Sequence, residues 1–176
     1  MQRVLIIGCS GSGKSTLSTQ LQPILKLPLI HLDRYFWKPN WEATQDEEWD
    51  QRVAEFAAEK KWIIDGNYSR TLDLRLRRAD LIIWLDIPRR VCLYRVIKRW
   101  IKYYGRTRPD LNEGCPEKID WAFLRWIWNY PTRTRSRTIG KLQELEPHQQ
   151  VIIIKNRKQL HAYIEQLRQQ HTDTHT

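Results

Sequence analysis

The chain has 176 residues, a net charge of +10 and 41% hydrophobic residues, which predicts one globular domain with a buried core. Its apolar runs are only as long as strands, and its first residues lack the long apolar region of a signal peptide. These features argue against a membrane or secreted protein, and we expect a cytoplasmic location. The three cysteines, Cys9, Cys92 and Cys115, lie far apart, so neither a disulfide framework nor a zinc site is predicted.

The first predicted elements are a strand at 4–7, the loop "GCSGSGKST" at 8–16, and a helix from about Gly13 to the neighbourhood of Pro23. The loop fits the phosphate-binding pattern G-x-x-x-x-G-K-[ST], in which Lys14 reaches the β and γ phosphates and the Ser15 hydroxyl binds Mg²⁺. The residues expected at the phosphates are Gly8, Ser10, Gly11, Ser12, Gly13, Lys14, Ser15 and Thr16. A plain Gly/Ser turn is the alternative, but strand, loop and helix follow one another in the required order. We therefore predict binding of a nucleoside triphosphate.

Further strands are predicted at 29–32, 62–64, 81–85 and 151–154, with helical spacing between them. Five strands alternating with helices indicate an α/β fold with a parallel sheet covered on both faces. Thr44 and Glu47 form a capping box for the second helix. The core stripe predicted for that helix is Trp49, Val53, Phe56 and Ala57. No linker divides the chain, so we predict one domain over 1–170 and a polar tail over 171–176.

Two segments do not follow this alternation, "DRYFWKPNWEATQ" at 33–45 and "YYGRTRPDLNEGCPEKID" at 103–120. Each follows the expected C-terminal end of a strand or the helix after it, where open α/β sheets bind ligands. We interpret the first as the start of an acceptor-site segment, about 33–60, and the second as a lid. Trp37 and Trp41 could stack on a base or a sugar. The tryptophans of "WAFLRWIWNY", at 121, 126 and 128, are predicted to pack in the core or in a subunit contact, and His31 is predicted to be a packed histidine.

The excess positive charge is local. Between Arg89 and Lys141 there are fourteen Lys or Arg and four Asp or Glu, a net charge of +10 that equals that of the whole chain. Two basic helix stripes are predicted there, Arg95–Arg99–Lys102 and Arg133–Arg137–Lys141. They are suited to clamping a triphosphate, with Arg99, Arg133 and Arg137 as candidate ATP contacts. The same charge is compatible with weak, non-specific nucleic-acid binding, although no helix-turn-helix, zinc-finger or RNP-type signature accompanies it.

Two further motifs carry a family resemblance, "IIDGNYSRT" at 63–71 and "LDIPRRVCLYRVIKR" at 85–99. Together with the phosphate loop they resemble the nucleoside monophosphate kinases of the adenylate kinase type, over most of the chain. The stretches "HLDRYFWKPNW", "DGNYS" and "GCPEKIDW" are similar to a smaller bacterial group, the DNA topology modulation proteins, which are themselves similar to adenylate kinases.

This resemblance implies the P-loop NTPase fold, a three-layer fold with sheet order 2-3-1-4-5 and a short lid, and Mg-ATP-dependent phosphoryl transfer. By position, Asp65 matches the carboxylate that holds the water shell of Mg²⁺. Arg70 falls near the arginine that grips the acceptor phosphate, and Arg99 matches the arginine at the lid hinge that contacts ATP. The chain departs from the family by one extra residue in 65–71 and by "LDRYFWKPNW" in place of the usual acceptor segment.

Asp33 bears on the class of acceptor. A hydroxyl acceptor benefits from a general base, whereas a phosphate acceptor needs none, and a strand-end Asp can also be a simple cap. A nucleoside monophosphate is the acceptor that we expect first. A nucleic-acid-binding ATPase and a hydroxyl kinase similar to shikimate or gluconate kinases are the alternatives. Asp86 is expected to cap the helix that follows it, and both a monomer and a homodimer remain open.

Overall fold

The computed structural model describes residues 1–108 and 110–172, with only the backbone of Thr172, and is built around a five-stranded sheet. The strands are β1 (Arg3–Gly8), β2 (Leu29–His31), β3 (Trp37–Lys38), β4 (Glu42–Ala43), β5 (Trp62–Asp65), β6 (Leu81–Leu85) and β7 (Gln150–Ile154). The sheet has the order β2-β5-β1-β6-β7 with every pair parallel, while β3 and β4 form a separate antiparallel pair. When the five sheet strands are numbered alone, the order is 2-3-1-4-5, and the predicted fold is confirmed.

Eight α-helices surround the sheet in the part of the chain that the structure describes. They are α1 (Lys14–Leu25), α2 (Leu32–Phe36), α3 (Asp46–Ala58), α4 (Leu72–Leu76), α5 (Arg89–Tyr103), α6 (Trp121–Tyr130), α7 (Ser136–Gln143) and α8 (Arg157–Thr172). Apolar side chains from α1, α5 and α8 form a core with one set of strand residues, and those of α3 and α4 form a second core with the alternate set. Because successive strand residues face opposite sides, the two cores give three layers.

The sheet register explains where a site can form. His31 pairs with Asp65, and Asp65 pairs with Ile6, so the carboxyl ends of β2, β5 and β1 lie at one edge. The loop at 8–16 leaves β1 at this edge, and Asp33 follows β2 there. Side chains that are far apart in the sequence therefore meet beyond the ends of three neighbouring strands.

The start of α3 differs from the prediction. Thr44 does not cap this helix, because its hydroxyl lies 2.8 Å from the carbonyl oxygen of Phe36 and 3.1 Å from that of Tyr35. The capping-box prediction is therefore wrong, and α3 begins after Gln45 without a side-chain cap. Its core stripe is confirmed: three of the predicted residues are buried and the fourth packs against the same core.

The tryptophan-rich helix α6 also differs from expectation. Trp121 is 86% exposed, and Trp126 and Trp128 are about 40% exposed, because Ile127 and Tyr130 form the buried face. The predicted packing of these tryptophans in the core is therefore wrong, and the alternative of a subunit contact stays a prediction. A π-helical turn at 131–135 joins α6 to α7, beginning at Pro131, which has no N–H to donate along the helix.

Of the predicted lid, 103–120, Tyr103 belongs to α5, and the described residues 104–108 and 110–120 form irregular chain with isolated bridges between Tyr104 and Glu117 and between Thr107 and Pro116. Of the predicted tail, 171–176, the first two residues belong to α8, and 173–176 lie outside the described residues. Within the described chain, every helix is too short or too polar to cross a bilayer.

Candidate functional site

The loop between β1 and α1 curls around the ammonium group of Lys14. Lys14 Nζ donates hydrogen bonds to the carbonyl oxygens of Gly8, at 3.0 Å, and Cys9, at 3.1 Å. Gly11 has a φ of +78°, and a Cβ there would lie 2.4 Å from a carbonyl oxygen of α5, so only glycine fits. Gly13 precedes α1 with a φ of +102°. This backbone directs the first N–H groups of α1 and the Lys14 charge toward one cavity.

We call this cavity the loop cavity. Its volume is about 530 Å³, and it is lined by Ser10, Gly11, Gly13, Lys14, Ser15, Thr16, Thr19, Gln20, Asp33, Asp65, Gly66, Arg95, Arg99, Tyr103, Arg108 and Asp110. Gly8 and Ser12, which were predicted to bind phosphate, lie buried beneath it instead. The Ser12 carbonyl accepts a hydrogen bond of 3.0 Å from Arg95, and the Ser12 hydroxyl is buried without a partner in the described residues. The loop cavity combines four cationic side chains with free helix N–H groups, which suits polyphosphate.

Asp65 lies at the end of β5 in the wall of the loop cavity. Ser18 Oγ donates a hydrogen bond of 2.7 Å to its carboxylate, and His31 Nδ1 lies 3.0 Å from it. Burial acts to lower the pKa of His31, but the hydrogen bond and the charge of Asp65 outweigh burial and raise this pKa above its ordinary value. His31 is thus packed against a carboxylate. Ser15 lines the same cavity as Asp65.

No group of three or more His, Cys, Asp or Glu among the described residues could hold a metal ion by itself. Mg²⁺ requires six oxygen ligands and commonly takes several from substrate phosphates and water. A hydroxyl and a carboxylate beside a phosphate-binding loop fit that use of the metal. Ser15 and Asp65 are therefore suited to a nucleotide-borne Mg²⁺ and not to a resident one.

A second cavity adjoins the first, and we call it the aromatic cavity. Its volume is about 580 Å³, and it is lined by Ser10, Lys14, Asp33, Trp37, Trp41, Asn67, Tyr68, Arg99, Arg108, Glu117, Lys118, Asp120, Ala122, Phe123 and Trp126. Five residues line both cavities and mark where the two meet: Ser10, Lys14, Asp33, Arg99 and Arg108.

Asp33 is oriented by Tyr68. The Tyr68 phenol donates a hydrogen bond of 2.6 Å to Asp33 Oδ1. Burial, together with the Asp33 charge, raises the pKa of Tyr68 far above its ordinary value, so the phenol stays protonated. The hydrogen bond fixes the carboxylate at the junction of the two cavities.

Arg75 in turn fixes the loop that carries Tyr68. This side chain is completely buried and donates hydrogen bonds to the carbonyl oxygens of Gly66, at 2.9 Å, Tyr68, at 2.5 Å, and Thr71, at 3.2 Å. Burial lowers its pKa to about 10, which still leaves it charged at neutral pH. Sequence analysis did not single out Arg75. Its spacing of three from Leu72 and four from Thr71, both buried, placed it on the inner face of α4.

Glu117 joins two arginines above the cavities. Its buried carboxylate accepts a hydrogen bond of 2.9 Å from Arg99 Nε and lies 3.0 Å from Arg108 Nε. Burial and the neighbouring Arg108 charge lower the pKa of Arg99, against the opposing effect of Glu117. The three residues bind the end of α5 to the segment 104–120.

The segment 104–120 is also bound to the segment 33–45. Trp41 Nε1 donates a hydrogen bond of 2.9 Å to the carbonyl of Pro116, and the Asn40 N–H donates one of 2.8 Å to that of Gly114. Asn112 donates to the carbonyl of Trp37 at 3.2 Å. The two segments that departed from strand–helix alternation thus form one connected cover.

Besides Gly8 and Ser12, three of the predicted site residues line neither cavity. Arg70 is exposed and paired at 2.8 Å with both Asp46 and Asp50 of α3, so it is held on the outer surface. Arg133 and Arg137 are exposed and line neither cavity, because the helix turns them toward solvent.

Two other residues of this region have different partners from those expected. The Asp86 carboxylate pairs with Arg135 at 2.9 Å, so its prediction as the cap of α5 is wrong. Lys141 of the second basic stripe pairs with Asp73.

Comparisons with known proteins agree on the fold. No protein-family model matches the chain. An uncharacterised protein of Bacillus subtilis (strain 168), YqaC, is 28% identical over 145 residues, covering 78% of this chain and 79% of that protein. Shikimate kinase from Bacteroides thetaiotaomicron superposes with a TM-score of 0.57 and 17% identity, covering 96% of this chain and 97% of that one.

Deoxyadenosine kinase from M. mycoides, in a structure with dCMP and dCDP, superposes with a TM-score of 0.54 and 11% identity, over 95% and 98% of the two chains. The chain therefore has the fold of the P-loop kinases. At these identities the superpositions establish the fold and leave the reaction to the geometry of the site.

Proposed function

We propose that this protein transfers the γ-phosphoryl group of Mg-ATP to a hydroxyl group of a small acceptor. The observation that carries the proposal is the position of Asp33, a fixed carboxylate that lines both the phosphate-binding loop cavity and the adjoining aromatic cavity. Two substrates bound in the two cavities would meet at Asp33 and Lys14. The structural similarity to shikimate and deoxyadenosine kinases supports the same general chemistry.

In this mechanism the loop and its cations hold the triphosphate. Lys14 and the N-terminus of α1 stabilise the negative charge on the transferred group, and Arg95 adds positive charge from α5. A bound Mg²⁺, beside Ser15 and Asp65, would neutralise phosphate charge. Phosphoryl transfer needs alignment and charge stabilisation more than covalent chemistry, and these side chains supply both.

Asp33 is the general base. As the acceptor oxygen forms its bond to the γ-phosphorus, the bond from phosphorus to the ADP oxygen breaks and the hydroxyl proton passes to Asp33. Tyr68 orients this carboxylate through Oδ1. The products are a phosphate ester, ADP and a proton that Asp33 later releases to water.

A monophosphate acceptor is less well supported. The arginine expected to grip its phosphate, Arg70, is bound by two carboxylates on the outside of the protein. Arg99 and Arg108, which do line the aromatic cavity, already share the Glu117 carboxylate. An incoming phosphate would also face Asp33. The similarity to shikimate and deoxyadenosine kinases does not favour a nucleic-acid-binding ATPase.

The proposal is tested with Lys14→Ala and Asp33→Asn, using Arg133→Ala as a control for the removal of a basic side chain. ATP binding is measured by calorimetry and ADP formation with a panel of hydroxyl compounds. We expect Lys14→Ala to abolish turnover and Asp33→Asn to lower kcat by about 10²–10⁴ with ATP affinity unchanged. Full activity of Lys14→Ala would overturn the phosphotransferase assignment, and full activity of Asp33→Asn would overturn the hydroxyl acceptor.

A further inference from the structure

The chemistry of the aromatic cavity is more specific than a general hydroxyl site requires. Five aromatic side chains line it, and they come from three separate parts of the chain: Trp37, Trp41, Tyr68, Phe123 and Trp126. The ring centroids of Trp37 and Trp41 lie 5.4 Å apart in an edge-to-face arrangement. Polar and charged side chains line the rest of the cavity, so it can contact the face of a flat ring and form hydrogen bonds with the same compound.

Asn67 supplies a polar group with no partner. Its Nδ2 atom is buried and makes no hydrogen bond within the described residues, although Asn67 lines the aromatic cavity. A buried N–H donor without an acceptor is costly, and such groups in native structures usually have a functional reason. An acceptor atom on the edge of a bound ring, a ring nitrogen or a carbonyl oxygen, would satisfy it.

The charges that line the aromatic cavity nearly balance, with four cationic side chains, Lys14 among them, and three carboxylates, which suits a neutral compound. The cationic groups of Arg99 and Arg108 are paired with Glu117, and the carboxylates of Asp33 and Asp120 also line the cavity. Lys118 stands over the Trp41 ring, with Nζ 5.5 Å from its centroid. An anionic phosphate would compete with Glu117 for the arginines and approach two further carboxylates.

We infer that the phosphoryl acceptor is a nucleoside, a neutral compound that joins a planar heteroaromatic base to a sugar hydroxyl. The base stacks among Trp37, Trp41 and Trp126 and accepts a hydrogen bond from Asn67, while the hydroxyl reaches Asp33. This inference rests on the proposed function and specifies its substrate. Asn67, Trp37 and Trp126 are then specificity-determining residues of the aromatic cavity.

The experiment measures ADP formation from Mg-ATP with three groups of acceptors: ribo- and deoxyribonucleosides, the corresponding monophosphates, and the polyols shikimate and gluconate, which have no aromatic ring. Binding of each nucleoside and of a non-hydrolysable ATP analogue is measured separately by calorimetry. We expect turnover with nucleosides at least 10-fold above that with either other group. Each variant is checked for folding by circular dichroism.

Two substitutions test where the heteroaromatic base of the nucleoside binds. Trp126 is already 39% exposed, so the Trp126→Ala variant should fold. It should raise the nucleoside KM by about 10-fold or more, because stacking on an aromatic ring contributes strongly to base binding. Asn67→Leu should have a similar effect on KM. The ATP KM should stay within twofold in both. The matched control Trp128→Ala removes a tryptophan of the same helix that lies outside the cavity, and it should change neither constant.

The outcomes separate this inference from the proposed function. If polyols are phosphorylated and nucleosides are not, the nucleoside inference is wrong, and the proposed transfer to a hydroxyl group still holds. Transfer only to monophosphates would overturn both the nucleoside inference and the role of Asp33. Absence of nucleoside binding in calorimetry would overturn the inference even if no acceptor is turned over, and absence of binding of the ATP analogue would overturn the proposed function.

Discussion

Glu117 allows a quantitative test of how the cover is held over the two cavities. Its carboxylate lies about 3 Å from the Nε atoms of Arg99 and Arg108, and only 2% of its side chain is exposed. At an effective dielectric constant of about 20, a charge pair at this distance is worth about 5 kcal/mol before desolvation is subtracted. Removing one partner of a buried pair costs about 3–5 kcal/mol, because the other charge stays buried without compensation.

The perturbation is Glu117→Gln, which keeps the shape and one acceptor oxygen but removes the charge. Arg99 is a quarter exposed and can turn partly to water, so we expect the lower end of this range, a loss of about 3 kcal/mol in the free energy of unfolding. Urea denaturation followed by circular dichroism measures this loss. Because the segment could open locally, hydrogen exchange of the Glu117 N–H, which donates to the Arg106 carbonyl, provides a second readout.

The control is Glu113→Gln, in the same segment but exposed, which should change stability by no more than about 0.5 kcal/mol. If Glu117→Gln costs less than about 1 kcal/mol in both measurements, the two arginines are not neutralised by this carboxylate. That result would also remove one reason for preferring an uncharged acceptor, since both arginines would then be available to a phosphate.

Three further substitutions test separate parts of the structure. Arg70→Ala should leave the acceptor KM within about twofold, as expected for a surface ion pair, whereas a rise of 10-fold or more would restore the monophosphate acceptor. Arg75→Lys should lower kcat by about 10² with the ATP KM unchanged, because misplacing the Tyr68 loop misaligns Asp33; unchanged kinetics would show that Arg75 does not position it. Burial acts to raise the pKa of Asp80, but hydrogen bonds from the backbone N–H groups of Gln2 and Arg3 outweigh burial and lower this pKa. The ionised carboxylate therefore stabilises the fold above about pH 4, and this stabilisation is lost as the pH falls through the lowered pKa. Asp80→Asn should therefore cost about 1 kcal/mol in urea at pH 7 and almost nothing near pH 2, and a cost that does not depend on pH would contradict this linkage.

The sheet and the phosphate loop could be predicted from the sequence because they depend on local patterns. Strand-length apolar runs and the glycine spacing around Lys14 determine backbone conformation within a few residues. Their positions at one sheet edge follow from parallel topology, so Asp33 and Asp65 were also expected there. Both do line the loop cavity.

Pairing between distant charged residues could not be predicted in this way. Arg70 and Arg75 are only five residues apart, yet one lies on the surface with two aspartates and the other is buried against backbone carbonyls. The helical face on which each arginine lies decides this, and the boundary of a five-residue helix cannot be fixed from spacing alone. The pairing of Glu117 with Arg99 could not be predicted either, because Glu117 lies in an irregular segment and Arg99 lies in α5.

The aromatic residues were misjudged for a related reason. Apolar residues around most of α6 predicted burial, but two residues form the inner face and the tryptophans lie outside it or at the mouth of the aromatic cavity. The spacing of apolar residues predicts burial where those residues pack in the core. An aromatic side chain that contacts a ligand can be exposed in the free protein, and apolar spacing does not distinguish it from a core residue.

Transfer of the γ-phosphoryl group of ATP to a hydroxyl group is tested most directly by identifying the phosphorylated product. The wild-type protein is incubated with γ-labelled ATP, Mg²⁺ and a nucleoside, and the products are separated and quantified. We expect one molecule of labelled phosphate ester for each ADP formed, and we expect the Asp33→Asn variant to form the ester about 10²–10⁴ times more slowly. Label found only in inorganic phosphate, or only in a diphosphate made from an added monophosphate, would contradict transfer to a hydroxyl group.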